Sequence, residues 1–359
     1  MALRLSRRHL LAGTAASTGL LLPGRKLWSQ EPLEVGYVYV GPIGDYGWTH
    51  GHEVARQAVD AHFGDKVKTS YVENVEEGPD AERVIRQLAS SGDGLVFATS
   101  FGFMNPTIRV ARQFPKVKFE HATGYQTAPN VSVYNARFYE GRAICGNIAG
   151  HISKTGIVGY IGSFPIPEVV MGINAFTVAM QKIKPETEVK VVWVNSWYDP
   201  GKEGDAAKAL IDQGADIICQ HTDSPAPLQV AEERGVWGFG QASDMMAYAP
   251  KAQLTSILDI WSDYYIQRVQ AVLDGTWQSQ SIWWGLKEGM VQMSPYGEAV
   301  TPEMAQEADA IKEGIIAGTL HPFEGPIENQ AGEVMIAEGQ HASDQELLTM
   351  EWYVKGVQA

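Results

Sequence analysis

The chain has 359 residues, of which 45% are hydrophobic and 19% are charged, and its formal net charge is -14. This length favours two domains of ordinary size, and the composition is typical of a folded globular protein rather than a disordered chain. Because a strongly acidic protein repels phosphate groups, we do not expect nucleic acid, nucleotides or an anionic membrane surface as partners.

The first 30 residues predict an export signal. They contain five basic residues and no acidic residue, and the pair Arg7-Arg8 precedes a weakly apolar segment from Leu10 to Leu22. This segment is too short and too polar for a membrane anchor, and the twin arginines indicate export of the folded protein to a bacterial periplasm. Cleavage near residues 22–31 leaves a body with 23 basic and 42 acidic residues, a net charge of -19.

Cys145 and Cys219 are the only cysteines in the sequence. Neither lies near the predicted signal, where a lipid-bearing cysteine would have to be, so we expect a soluble protein without a lipid anchor. Cys145 falls in a helical pattern and Cys219 ends an apolar strand, which predicts two core thiols. A disulfide is compatible with the periplasm, but the spacing does not require one.

The first predicted unit is a strand, a loop and a helix between residues 35 and 63. Alternating apolar residues predict a strand that ends at Gly41-Pro42. The following loop carries Asp45, Tyr46 and Trp48. In an open parallel sheet this loop lies in the ligand crevice, so we predict these residues as ligand contacts. The alternative for Trp48 is a core position at the start of the helix.

Two series of alternating strands and helices follow. The first series has predicted strands at 68–72, 94–98, 117–121 and 131–134 and helices at 79–90 and 105–113. After a helix at 139–152, the second has strands at 156–161, 189–194, 216–219, 236–240 and 254–258 and helices at 168–183, 205–213, 227–234 and 262–273. Such alternation is typical of doubly wound parallel sheets, so we predict two similar α/β lobes. Two more helices are predicted at 302–317 and 344–353.

Large aromatic side chains recur in the loops that follow the predicted strands. Besides Trp48, these loops carry Phe101, Phe164 and Trp197, and a further loop carries Asp223. Exposed loops usually prefer small polar residues, so the repeated rings indicate a shared apolar cleft. Trp197 is favoured as a ligand contact because polar residues surround it, whereas Phe101 and Phe164 could instead pack beneath their loops.

Several segments, in this order along the chain, resemble the basic membrane protein family of periplasmic substrate-binding proteins of ABC transporters, in its purine-receptor-like branch. The resemblance covers residues 33 to about 325 and rests on Asp45-Tyr46-Gly47-Trp48-Thr49, residues 139–150, Gly159-Tyr160-Ile161-Gly162-Ser163, Trp197-Tyr198-Asp199-Pro200 and Gly285-Leu286-Lys287-Glu288-Gly289. It implies a type I periplasmic-binding-protein fold, with two doubly wound parallel-sheet lobes joined by a three-segment hinge.

We expect the chain to divide into an export signal, two lobes and a tail. Residues 1–30 form the export signal, and residues 331–359 form a C-terminal tail whose helix packs on a lobe. The first lobe is expected to contain residues 33–136 and 256–284, and the second lobe residues 137–255 and 285–330.

The family resemblance implies that a purine nucleoside is held between aromatic rings, matched here by Trp48 and Trp197. The chain departs from the family pattern at two positions: Ala242 stands where an acid that binds the sugar is common, and Asp259 stands where a lysine is common. Because the Asp259 carboxylate can accept a hydrogen bond from an exocyclic amine, we expect a free purine base, adenine first, rather than a nucleoside.

Three further residues are predicted as ligand contacts. Asn135 follows the strand that meets the first hinge segment, and Asp223 and Asp244 lie in loops after strands of the second lobe. For Asp244, as for Asp259, a solvated acid outside the site is the alternative.

The alternative function is that of an exported hydrolase acting on nucleosides. The sequence contains no G-x-S-x-G motif, no metal-ligand set and no acidic cluster after the first strand, so we expect no enzymatic activity, metal or cofactor. A transcription regulator with the same core would need an N-terminal DNA-binding helix pair in place of the signal. The expected partners are a small-molecule purine and the membrane permease of an ABC transporter, and the expected oligomeric state is a monomer.

Overall fold

The computed structural model describes residues 31–359, so the predicted export signal lies outside the described residues. Pro32–Ala359 forms one compact unit. It is built on two large sheets and a short hairpin, with helices packed on the faces of the sheets. Strands and helices are numbered here along the chain.

The first sheet is entirely parallel. Its strands are β1 (Leu33–Val38), β2 (Val67–Val72), β3 (Leu95–Ala98), β4 (Lys118–Ala122), β5 (Val131–Ala136) and β11 (Ser281–Trp284). Their spatial order is β2-β1-β3-β4-β5-β11. Strands β3 and β5 are buried along their whole length, as expected for parallel strands covered by helices on both faces.

The helices of the first lobe are α1 (Gly47–Phe63), α2 (Pro79–Ser91), α3 (Met104–Ala111) and α8 (Ser262–Leu273). Helix α2 illustrates why they form where they do. Pro79 stands at its start, where the missing N–H is not needed, and Gly92 ends it in the left-handed conformation. Ala81, Val84 and Leu88 recur at helical spacing and are buried, so the apolar face packs on the sheet.

The second sheet is parallel except for one strand, β12, which pairs antiparallel with β10. Its strands are β6 (Ile157–Gly162), β7 (Glu188–Trp193), β8 (Ile217–His221), β9 (Trp237–Gly240), β10 (Gln253–Asp259), β12 (Val291–Met293) and β15 (Val357–Gln358). The order is β12-β10-β9-β8-β6-β7-β15. The helices of this lobe are α4 (Phe138–Ile152), α5 (Pro167–Ile183), α6 (Pro200–Asp212), α7 (Ala226–Arg234) and α9 (Pro302–Ala317).

The two sheets repeat one strand order. The order β2-β1-β3-β4-β5 in the first sheet matches β7-β6-β8-β9-β10 in the second. The predicted pair of doubly wound α/β lobes is therefore confirmed. In this topology the chain winds in opposite directions from the gap between β1 and β3, and likewise from the gap between β6 and β8, so the loops at those gaps diverge and leave a crevice.

The chain passes between the sheets after β5, after β10 and after β11. Strand β10 pairs with β9 and β12 through to Asp259. Residues 256–259, predicted for the first lobe, therefore lie in the second sheet, because the chain crosses between the sheets only after β10 ends. The remaining lobe boundaries stay a prediction.

Helices α4 and α5 form the closest helix pair of the second lobe. A Cβ atom at Gly146 of α4 would lie 2.1 Å from the carbonyl oxygen of Phe176 in α5. Only glycine permits this approach, which lets the two helices pack backbone to backbone and buries α4 from Phe138 to Gly150. Both cysteines are buried free thiols, Cys145 in α4 and Cys219 in β8, as predicted.

The C-terminal segment completes the second lobe. It contains β13 (Ile327–Glu328), β14 (Val334–Ile336) and α10 (Asp344–Leu348), and then joins the sheet as β15. A capping box of Ser343 and Glu346 opens α10, but the helix ends at Leu348 rather than at the predicted Tyr353. The buried amide of Asn174 explains the difference, because it bonds the Trp352 carbonyl and the Val354 N–H and so holds this backbone extended.

We expect Asn174→Ala to lower the free energy of unfolding by about 1–3 kcal/mol, because it leaves buried backbone groups of the tail without partners. Urea unfolding of the purified protein measures this. Gln345→Ala, on the exposed side of α10, is the matched control and should change stability little. Equal stability of Asn174→Ala and the unmutated protein would show that the tail is held by other contacts.

Candidate functional site

A cavity lies between the two sheets. Its walls are loops that follow the carboxyl ends of strands, including β1 and β3 in the first lobe and β6 and β8 in the second, which are the gaps where this topology favours a ligand. The residues that line it are Val40, Trp48, Ser100, Phe101, Thr123, Glu168, Trp197, His221, Asp223 and Gln241. Both lobes therefore contribute to one cavity.

Trp48 reaches the cavity from the first lobe, at the start of α1. Its indole N–H donates to the Thr99 carbonyl at 2.7 Å, and its ring makes edge contacts with His52 and Trp261. The loop before it depends on Gly47, which has a φ of +77° and lies so near the other lobe that a Cβ would be 2.7 Å from the Asp223 carbonyl. Contacts with its own lobe and the close approach of the second lobe therefore hold Trp48 in position.

Trp197 reaches the cavity from the second lobe, in the loop between β7 and α6. Its indole N–H donates to Glu77 of the first lobe at 3.1 Å, and its ring packs against Phe164 with the ring centres 5.1 Å apart. The same Glu77 oxygen accepts from the Ser100 hydroxyl at 2.5 Å. Asp199 then caps α6 by accepting from the Lys202 N–H, so the loop is fixed at its end.

The structure brings four of the predicted residues to the cavity: Trp48, Trp197, Phe101 and Asp223. All follow the carboxyl ends of parallel strands, which is the feature on which the prediction rests. Their contact with a ligand stays a prediction.

Asp45 and Tyr46 do not line this cavity. Instead they join the lobes, since Asp45 accepts a hydrogen bond from the Tyr248 hydroxyl and the Tyr46 hydroxyl lies 3.2 Å from that of Tyr198. The Gly47 N–H also donates to Ser243 at 2.7 Å. These contacts hold the lobes together around the cavity. Asp45 and Tyr46 therefore stabilise the closed arrangement of the lobes and do not form part of the cavity wall.

Four other predicted residues also lie outside the cavity wall. Asn135 is buried and accepts from the Ala136 N–H, and Phe164 packs behind Trp197. Asp244 is exposed and accepts from the Gln253 amide at 2.7 Å, the alternative that the sequence left open. Asp259 is buried, and neither of its carboxyl oxygens has a hydrogen-bond partner within the described residues.

Sequence reasoning missed several lining residues, above all Glu168, His221 and Gln241. His221 was within reach of prediction, because it lies two residues before Asp223 in a loop already singled out. Glu168 stands in the first turn of α5, where an acid is common for helix stability alone. The sequence around Glu168 does not show whether this acid stabilises the start of the helix or lines the cavity.

Carboxyl groups dominate the electrostatics of the site. The pKa of Asp223 is raised to about 8, chiefly by burial and also by the Glu203 carboxylate, while the Trp48 N–H opposes both. Burial likewise raises the pKa of Asp259 well above its ordinary value, with Glu168 acting in the same direction and Arg142 opposing it. Because the lining contains acids but neither lysine nor arginine, it favours uncharged ligands that present hydrogen-bond donors.

A family model described as ABC transporter substrate-binding protein, PnrA-like, matches residues 33–322. The chain belongs to this PnrA-like family. Members are substrate-binding proteins of ABC transporters rather than enzymes, and they bind small molecules and work with a membrane permease. The resemblance drawn from the sequence is therefore confirmed.

Two relatives of this PnrA-like protein illustrate the range of names in the family. A purine-binding protein of Brucella abortus is 55% identical over 96% of this chain and 97% of its own length. A protein of Haloferax volcanii is 36% identical over 86% of this chain and 78% of its own length. It carries the provisional name of an ABC transporter glucose-binding protein.

Solved structures confirm the type I periplasmic-binding-protein fold. A solute-binding protein of an ABC transporter system from Aeropyrum pernix K1 has a TM-score of 0.68 and 19% identity, covering 83% of this chain and 93% of that one. A transcriptional activator of the comK gene from Bacillus halodurans has a TM-score of 0.66 and 22% identity, covering 79% and 98%. Within residues 31–359 of the PnrA-like protein, no helix combines the length and apolar character needed to cross a membrane.

The raised pKa of Asp223 predicts a pH dependence of stability. The folded protein holds this proton up to a pKa of about 8, against an ordinary value of 3.8, so the free energy of unfolding falls as pH rises through this interval. Asp223→Asn should reduce that fall, measured by urea unfolding at about pH 5 and about pH 8. Asp244→Asn, which changes an exposed acid outside the cavity, should leave it unchanged. An equal fall in Asp223→Asn and the unmutated protein would contradict the assignment.

Proposed function

We propose that this protein is the periplasmic solute-binding component of an ABC importer and captures a purine, with adenine favoured over nucleosides, between Trp48 and Trp197. The observation that carries the proposal is the single cavity to which each lobe contributes one indole. Flat heterocycles stack on such rings, and a purine-binding relative shares more than half of the sequence. The export signal, an unlipidated monomer and delivery to a permease are part of the same proposal.

The side chains around the cavity support a base over a nucleoside. A nucleoside adds a ribose with several hydroxyl groups to the same base. The position where the family commonly offers an acid to the sugar is Ala242, which is buried and provides no hydrogen-bonding side chain.

The acids of the site support adenine among the bases. Since its pKa is about 8, Asp223 is mostly protonated at neutral pH and can donate one hydrogen bond while accepting another. Adenine presents a matching pair, because a ring nitrogen that accepts lies beside an amino group that donates. Asp259, buried behind the wall, is proposed to act through its unpaired oxygens, directly or through water.

Contacts between the lobes give the proposed transport cycle a physical basis. Trp48 and Trp197 are each tied to the opposite lobe, through Asp223 at 3.3 Å and Glu77 at 3.1 Å. A ligand that touches both rings therefore binds the closed arrangement better than an open one and selects it. The closed shape is then the form that a permease recognises.

Replacing either indole by alanine should weaken adenine binding. One stacked ring contributes roughly 1–3 kcal/mol, or about 5- to 150-fold in Kd, which calorimetry of Trp48→Ala and Trp197→Ala can measure. Trp48→Phe and Trp197→Phe keep a ring at each position and are the matched controls that should retain most of the affinity. Alanine variants that bind adenine as well as the unmutated protein would remove the stacking proposal.

Calorimetry with adenine, adenosine, guanosine and glucose should give the tightest binding for adenine, because the acids that line the cavity suit a base with an exocyclic amine. A nucleoside that binds more tightly than its base would contradict the choice of ligand, and tighter glucose binding would favour the function named for the Haloferax relative. Incubation with adenosine tests the alternative of an exported nucleoside hydrolase. We expect no release of adenine, and steady release would establish the enzyme.

A further inference from the structure

Glu168 and His221 form a polar corner of the cavity. Glu168 lies in the first turn of α5, and His221 is the last residue of β8. Glu168 Oε1 lies 3.6 Å from His221 Nε2, and the two side chains are only 11% and 7% exposed. Both line the cavity, so a bound molecule would meet them on the face contributed by the second lobe.

Each of these side chains retains one buried polar atom without a hydrogen-bond partner among the described residues. These atoms are Glu168 Oε2 and His221 Nδ1. Buried polar atoms of folded proteins are nearly always satisfied by protein, water or ligand. Two unsatisfied atoms on neighbouring residues in a cavity wall therefore indicate that a bound molecule supplies the missing partners.

The chemistry of this corner is that of an acceptor. A carboxylate facing Nε2 favours the imidazole tautomer with its hydrogen on that nitrogen, which leaves Nδ1 as an acceptor. Burial lowers the pKa of His221, although Glu168 opposes this, so the neutral ring is favoured. The charged groups nearby are Asp223, Asp259 and Arg142, and the side chain of Arg142 is turned to Gln241 and Cys219.

We propose that Glu168, beside His221, selects purines that carry an amino group at C6 over those that carry an oxygen there. An amino group donates a hydrogen bond to the carboxylate, whereas the C6 oxygen of hypoxanthine would place an acceptor against an acceptor. This proposal rests on the proposed function, because it concerns the same cavity and a purine ligand.

The test compares three ligands of nearly equal shape: adenine, hypoxanthine and purine without a substituent at C6. The unmutated protein should prefer adenine, then purine, then hypoxanthine. Glu168→Gln offers an amide that can donate to an oxygen. It should shift the adenine-to-hypoxanthine affinity ratio toward hypoxanthine by roughly tenfold or more, while purine binding stays nearly constant.

Glu232→Gln is the matched control, since this acid of the same lobe accepts from the Lys251 N–H outside the cavity; it should leave all three affinities unchanged. Glu168→Ala is the second variant, and it should abolish the preference for adenine over purine. If Glu168→Gln and Glu168→Ala retain the original affinity ratios, or weaken all three ligands equally, the inference is overturned. If the unmutated protein binds none of the three purines, the proposed function itself fails.

Discussion

The close approach of the loop after β1 to the loop after β8 is the contact on which the site depends. Gly47 permits it, because any side chain at that position would collide with the Asp223 backbone. The approach places the Trp48 N–H 3.3 Å from the Asp223 carboxyl group and the Gly47 N–H 2.7 Å from Ser243. Gly47 thus determines how closely the two lobes approach each other. This approach in turn sets the distance between the indoles of Trp48 and Trp197.

The contacts across the cleft are mostly single hydrogen bonds between polar side chains. Tyr46 with Tyr198, Asp45 with Tyr248 and Trp197 with Glu77 are each partly open to solvent. Bonds of this kind are individually worth about 0.5–1.5 kcal/mol, so they favour closure without making it irreversible. A binding protein that must release its solute needs such a modest bias, and a continuous apolar seam would hold the lobes shut.

Much of the fold was predictable from the sequence because alternating strands and helices leave a clear periodicity. The same regularity identified the loops at the carboxyl ends of strands, and with them Trp48, Trp197, Phe101 and Asp223. Asp45 lies outside the cavity wall, and the sequence did not indicate this because its hydrogen-bond partner Tyr248 belongs to the other lobe, about 200 residues away along the chain.

Other site residues left no local signal. Glu168 resembles an ordinary acid in the first turn of a helix, and the short strand β15 is defined only by its partner β7. The end of α10 was missed for a similar reason, because Asn174 in a distant helix holds the following backbone extended. Local patterns therefore predicted most of the elements, whereas long-range hydrogen bonds decided where α10 ends.

The pairing of β15 with β7 has a consequence for the order of folding. Val357 and Gln358 close the edge of the second sheet, and Val354, Met350 and Leu347 bury apolar surface beside α5. Because β15 lies far beyond β7 along the chain, this edge of the sheet can form only after the rest of the second lobe has been synthesised. The second lobe therefore completes its sheet late, even though the strands at its centre emerge much earlier.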